Sequence, residues 1–156
     1  MDKEAVVNVI LVGVDFDEGA RPVIEYAKRE AERMGCEVVF AHVVQVPVYS
    51  YPGLEGGLVP VYQDELTKAA KQGLDELSAG YSCRGFVRTG DPADEILALA
   101  KELGASLVVM GTHGRGAISH FLLGSTTQKL IRKSPLPVLV VPLRHADTGA
   151  KRGRAA

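Results

Sequence analysis

This sequence predicts an α/β fold, a single doubly wound sheet of five parallel strands in the order 3-2-1-4-5 with helices on both faces. Five short aliphatic and β-branched runs alternate with four stretches of helical periodicity, the pattern of successive βαβ units. The first run, Val6 to Val14, is apolar almost without a break, as a central parallel strand covered on both faces must be. The strand ends with the most suggestive polar loops follow Val14 and Met110. Placing those two strands side by side gives the stated order with right-handed crossovers.

Each element has its own signal. After Gly13-Val14-Asp15, Asp17 is positioned to cap a first helix in which Val23, Tyr26, Ala27, Glu30, Ala31 and Met34 keep a mostly apolar helical stripe, with Pro22 in its first turn and Gly35 as its stop. Glu37 to Val44 is the second strand. Gln45 to Tyr62 carries three Pro, three Gly and three Tyr, and reads either as a loop covering a site or partner surface or as an insertion without fixed structure. Gln63 to Ala79 is a helix with Leu66, Ala70, Leu74 and Leu77 inward. Cys83 to Thr89 is a more polar strand suited to a sheet edge. Asp91-Pro92 opens a third helix that buries Ile96, Leu99, Ala100 and Leu103 and stops at Gly104. Ser106 to Met110 is the fourth strand, Ser125 to Lys133 the fourth helix, and Val138 to Val141 the fifth strand, entered between Pro135 and Pro137.

At 156 residues this is one domain, residues 1–143, with residues 144–156 a basic tail (Arg144, Lys151, Arg152, Arg154) that lacks apolar periodicity and is expected to be disordered. A 46% hydrophobic and 24% charged composition is that of an ordinary soluble globular protein. The formal net charge of −1 gives no electrostatic case for nucleic acid. Cys36 and Cys83 match no metal or redox spacing. The apolar start follows Met1-Asp2-Lys3-Glu4 and lacks a small-residue cleavage site, so a first strand is expected rather than a signal peptide. No run is long enough for a membrane helix, and a cytoplasmic protein without membrane partners is the expectation.

The chemistry concentrates between Leu107 and Val141. There a buried strand runs into Gly111-Thr112-His113-Gly114-Arg115-Gly116, and after a short interval Gly124-Ser125-Thr126-Thr127 opens a helix. Glycines allow close approach of backbone to a ligand, and a helix start presents unpaired N–H groups and a positive dipole end. A phosphate is the best-matched ligand. The Walker A loop is excluded because Ser125, not Lys, follows Gly124, and the dinucleotide fingerprint fails because Ser119 stands where its third Gly belongs. What fits is G-x-x-G, nine residues, then G-[S/T]: Gly111, Gly114, Gly124 and Ser125.

That pattern resembles the ATP-binding branch of the universal stress protein family, whose fold is adenine nucleotide alpha hydrolase-like. Val12-Gly13-Val14-Asp15-Phe16, Ala41-His42-Val43, Gly90-Asp91-Pro92 and Ser134 to Val141 are similar to further blocks of the same family. The resemblance implies that Val14 and Val43 contribute backbone to an adenine pocket, that Asp15 lies near the adenosine, and that Met110 and Gly111 continue towards the ribose. It implies that Gly114, Gly124, Ser125, Thr126 and Thr127 hold the phosphates through N–H and hydroxyl groups. Arg115 either adds charge to a phosphate or is a solvated loop side chain. Asp15 is also the candidate contact for a Mg²⁺ carried with ATP. Asp17 stands where the family usually has Ser, which puts an anion near the site.

His42 and His113 form no ligand set, and hydrogen bonds that fix the strand end and the loop are the expected role for both. Asp91 is expected to cap a turn or helix rather than act as a base. With no Walker Lys and no evident general base, the sequence favours a nucleotide-dependent stress-response or signalling module with slow or no hydrolysis. The rival readings are an ATP-hydrolysing or adenylating enzyme on the same fold, an electron-transfer flavoprotein, and a dimeric interaction module that binds no nucleotide. The family further implies a homodimer through Val138, Leu139, Val140 and Val141, an apolar edge that otherwise invites aggregation.

Overall fold

The computed structural model of the chain describes residues 8–17, 19–45, 59–112 and 123–143, the first four of the third segment by backbone alone. In order these form β1 (Val9–Gly13), α1 (Ala20–Met34), β2 (Glu37–Val44), α2 (Val59–Tyr81), β3 (Arg84–Thr89), α3 (Pro92–Leu103), β4 (Ala105–Gly111), α4 (Ser125–Lys133) and β5 (Val138–Val141). All strand pairs are parallel and the sheet order is β3-β2-β1-β4-β5, as the sequence predicts.

Strand alternation divides the core into two layers. Ile10, Val12, Val38 and Phe40 point to the face covered by α1 and α2, where they meet Val23, Ile24, Ala27 and Leu74. Val9, Leu11, Val39 and Ala41 point to the opposite face, against Ile96, Leu99 and Ala100 of α3 and Leu130 of α4. Consecutive β1 residues are therefore buried on both sides, which is why that run shows no polar alternation.

The helix ends follow the sequence signals with one exception. Gly35 and Gly104 stop α1 and α3 in the left-handed conformation, at φ 65° and 62°. Asp91 caps α3 by accepting the Asp94 N–H at 3.1 Å, with Pro92 in the first turn. The exception is Asp17. The residue preceding α1 is Gly19, and Asp17 instead closes the turn before it, its carboxylate accepting the Gly19 N–H at 3.3 Å.

Two further expectations are corrected. α2 begins at Val59, inside the stretch read from sequence as loop, because Pro60 lies in the first helical turn, where a missing N–H costs nothing. Residues 46–58 lie outside the described residues, as does the tail 144–156. Met34 and Leu66, placed inward by periodicity, are 51% and 46% exposed. Met34 is the last residue of α1, and Leu66 belongs to the part of α2 that borders a cleft rather than the sheet.

The two sheet edges differ in character. β3 carries Arg84, whose guanidinium forks onto Glu37 at 2.7 and 3.1 Å, and Arg88, paired with Glu102; charges of this kind discourage edge-to-edge pairing. β5 carries only Val138, Leu139, Val140 and Val141, all partly exposed.

Candidate functional site

β1 is flanked by β2 on one side and β4 on the other. The connection leaving β1 passes to α1 on one face, while that leaving β4 reaches α4 on the other. A crevice at the carboxyl ends of β1 and β4 is the geometric consequence. A cleft of about 800 Å³ opens there, walled by the ends of β1, β2 and β4, the starts of α1 and α4, and the flank of α2. Small-molecule sites commonly measure roughly 300–1,000 Å³.

At the β2 end, the ladder determines which backbone groups are open. Val14 donates its N–H to the Ala41 carbonyl at 2.8 Å. The Val14 carbonyl lies 2.7 Å from Nδ1 of His42, and because a carbonyl only accepts, Nδ1 must carry the proton. The His42 ring also lies 4.3 Å from that of Phe16, tilted by 35°. Both polar groups of Val14 are thus held inside the fold, and Val14 serves the cleft as a wall. Ala41 faces β1 while Val44 accepts from Gly90 on the β3 side, so alternation turns the Val43 N–H and carbonyl towards β1. The last β1 residue paired with β2 is Gly13, opposite Ala41, and beyond it Val43 opens into the cleft as an adjacent donor and acceptor.

His42 is accordingly a positioning residue, as its sequence context suggests. His42→Leu is expected to cost about 1–3 kcal/mol in urea unfolding, since it strands the nearly buried Val14 carbonyl. His42→Asn, whose amide can still donate to that carbonyl, should recover most of the loss. Equal losses in the two variants would remove the hydrogen-bond account.

At the opposite end, α4 starts without a side-chain cap. Gly124 precedes it at φ −60° and ψ 153°, leaving the Ser125 and Thr126 N–H groups without a partner among the described residues. Thr127 is buried and donates its hydroxyl to the Gly111 carbonyl at 3.0 Å, so that hydroxyl braces α4 against β4. Thr112 holds two segments at once. Its carbonyl accepts the Gly124 N–H at 2.6 Å and its hydroxyl accepts the Leu143 N–H at 3.0 Å. A Cβ on Gly13 would lie 2.3 Å from Sδ of Met110, and one on Gly111 2.9 Å from Cδ1 of Leu143, so a side chain at either position would push aside the tip of a residue that lines the cleft.

Val14, Asp15, Val43, Met110, Gly111, Gly124, Ser125, Thr126 and Thr127 all line this one cleft. Gly114, Arg115 and His113 lie outside the described residues. Sequence reasoning assigned no ligand role to Phe16, Gly19, Leu66, Ala69 and Leu143, which also line it. Only the fold could place these: the α2 flank and the segment after β5 reach the site from far along the chain.

Among the described lining residues Asp15 is the one carboxylate, and there is no Lys or Arg. No group of three metal-ligating side chains occurs among the described residues. The charged cluster lies outside the cleft, between α3 and α4, where Lys129 contacts Asp91 at 2.8 Å and Asp94 at 3.0 Å and Lys133 contacts Asp94 at 3.0 Å. Hydrogen bonding from Lys129 holds the Asp91 carboxyl below its ordinary 3.8, Lys133 and then Lys129 do the same for Asp94, and Asp91 and then Asp94 raise Lys129.

These groups are exposed, so their contribution is small and weakened by salt. The depressed carboxyls stabilise the fold above about pH 4, and that contribution is lost as pH falls through their folded values. Lys129→Met is therefore expected to flatten the acid limb of the stability profile below about pH 4 at low salt. An unchanged limb would show that these contacts carry no stability.

Comparison with known proteins places the chain among related sequences. The family model described as "Universal stress protein family" matches residues 7–142. A universal stress protein of Thermus aquaticus is 31% identical, over 86% of this chain and 98% of its own length. Universal stress protein MJ0577 of Methanocaldococcus jannaschii is 28% identical, over 88% of this chain and 96% of its own. The solved structure of MJ0577 aligns at 25% identity and a TM-score of 0.74, covering 91% of this chain and all (100%) of that one. A universal stress protein from Archaeoglobus fulgidus, solved in complex with dAMP, shares the fold at 24% identity and a TM-score of 0.60, covering 86% of this chain and 98% of that chain.

Proposed function

The chain belongs to the universal stress protein family, and on that footing we propose that it binds ATP in the cleft between β1 and β4 and acts as a nucleotide-dependent stress-response or signalling module. One observation carries the reading. The cleft has an open peptide donor and acceptor at Val43 and an uncapped helix start at Ser125 and Thr126, joined by a cavity of suitable size. The Val43 pair suits the hydrogen-bonding edge of a purine base, and the head of α4 suits a phosphate.

Slow or absent hydrolysis is part of the proposal. An efficient ATPase needs a positioned base or metal and charge stabilisation at the γ-phosphate. Asp15 is the one carboxylate among the described lining residues and the candidate contact for a Mg²⁺ brought with the nucleotide. The homodimer through β5 is likewise proposed: that edge offers Val-Leu-Val-Val without a charge, whereas the β3 edge is blunted by arginines. A cytoplasmic location belongs to the same reading. Among the described residues no helix is long and apolar enough to cross a membrane.

The direct test is to denature the purified protein, identify any released nucleotide by chromatography, and titrate the apoprotein with ATP in the presence and absence of Mg²⁺. Released adenine nucleotide or saturable binding supports the proposal. Absence of both would leave an interaction module whose glycines serve only the fold. Release of flavin, or exchange of pyrophosphate into ATP, would favour the flavoprotein or adenylating readings.

A further inference from the structure

Phe16 is 37% exposed and lines the cleft, an unfavourable place to leave an aromatic ring in water. The ring is nevertheless held firmly from two sides. The His42 ring lies against it, centroids 4.3 Å apart and tilted by 35°, and His42 is itself fixed by its Nδ1 contact of 2.7 Å with the Val14 carbonyl. One edge of the Phe16 ring rests on α2 at Gly73, where an added Cβ would come within 3.3 to 3.5 Å of Cε1, Cδ1 and Cζ. A glycine inside a helix weakens it, and at Gly73 that weakness gives the ring its seat. Phe16 belongs to neither core layer. With His42 on one face and Gly73 along one edge, the rest of the ring is left to the cleft.

Its position relates it to the proposed base contacts. His42 immediately precedes Val43, whose peptide N–H and carbonyl open into the cleft, so the ring stacked on His42 sits one residue from those groups. Pro92, Ile96 and Met110 line the cleft from the α3 side of the sheet and give it a second apolar wall. A flat ring reaching the Val43 peptide groups enters between the two walls. The peptide pair by itself leaves the base undecided. Adenine presents an amino donor beside a ring-nitrogen acceptor, and cytosine presents the same two groups side by side, so one N–H and one carbonyl suit both. The two bases differ in area, two fused rings against one, and stacking on an aromatic face is the contact that reads area.

Resting on the proposed nucleotide site, we infer that Phe16 is the platform on which the base stacks, and that this platform, rather than the Val43 pair, makes the cleft favour adenine over cytosine. The base lies over the ring with its amino edge towards Val43, while His42 backs the ring from the other side. The contact carries no net charge, so ATP, AMP and adenosine make it equally and salt changes it little.

The test titrates the complete chain, Phe16→Leu and Phe16→Tyr with adenosine, ATP and CTP. Leucine keeps an apolar side chain beside Gly73 but removes the aromatic face, whereas tyrosine keeps the face. Phe16→Leu is expected to bind adenosine and ATP about tenfold more weakly, the loss of one base–aromatic stack. CTP, with the smaller ring, should lose no more than about threefold, so the preference for ATP narrows. Phe16→Tyr should recover both affinity and preference. On binding to the wild type, the adenine H2 and H8 proton resonances should move upfield, as protons above an aromatic face do, and the shift should vanish with Phe16→Leu. Because the shift is read on the wild type, it decides the matter even where Phe16→Leu melts early. Unchanged adenosine affinity in Phe16→Leu, or no upfield shift in the wild type, would overturn the platform and leave the nucleotide site standing. Equal losses for ATP and CTP would overturn its part in base choice. Wild-type protein that binds neither ATP nor adenosine would overturn both this inference and the proposed function.

Discussion

Ser125→Pro is expected to lower ATP affinity roughly 10–100-fold while leaving the melting temperature within about 2 °C of wild type. The substitution removes the backbone N–H and the hydroxyl of Ser125, both at the head of α4. Ser125 is the first residue of α4, where proline is favoured, and Gly124 before it sits at φ −60° and ψ 153°, the extended conformation a residue preceding proline requires. The Ser125 N–H has no partner among the described residues, so folding loses no hydrogen bond. A phosphate at the head of α4 would lose a charge-assisted one, worth about 1.5–3 kcal/mol, hence the stated range. Titration calorimetry with ATP and with adenosine separates the outcomes. Loss for ATP alone supports a phosphate at α4, and undiminished ATP binding would place the phosphates elsewhere.

Phe40→Ala is expected to destabilise the chain by about 3–5 kcal/mol, the largest stability effect of any substitution considered. Phe40 is fully buried on the α1–α2 side of the sheet and meets the Tyr81 ring edge-on, centroids 6.0 Å apart at 88°. Its loss leaves a cavity between β2 and the end of α2 that its fully buried β1 neighbour, Val12, cannot move to fill. Urea unfolding should show a lower midpoint with an unchanged slope. For a domain of this size the melting temperature should fall by roughly 6–20 °C. A loss below about 1 kcal/mol would mean that α2 can settle onto the sheet without its anchor.

How far the sequence foretells this molecule depends on what each signal encodes. The ends of β2 and α4 and the stops at Gly35 and Gly104 are local events, set by single caps or breakers, and they lie where the sequence puts them. The start of α2 was hidden because Pro60 and the glycines before it resemble loop chemistry, although proline also suits a first helical turn. Leu66 follows the helical stripe faithfully, but periodicity cannot tell where the sheet beneath a helix ends and a cleft begins. The site was legible in the same uneven way. Gly124 to Thr127 announce a helix start, whereas the inward turn of the Thr127 hydroxyl and the double grip of Thr112 depend on β4, α4 and the end of β5 coming together. The openness of Val43 follows from register, a property of three strands at once.

The character of that opening bears on how the protein would look to a mutational survey. A ligand gripped by the peptide groups of Val43, Ser125 and Thr126 would be read by atoms that every residue but proline supplies. Exchanging the side chains at those positions would leave the grip largely intact, and a scan by alanine would score them as neutral. Sensitivity would surface instead at neighbours that never touch the ligand: Gly13 and Gly111, which leave room, and His42 and Thr112, which hold the main chain in line. A lineage of that kind would be free to change most of its surface while keeping such a ligand, and the positions constraining it would be those that shape the backbone.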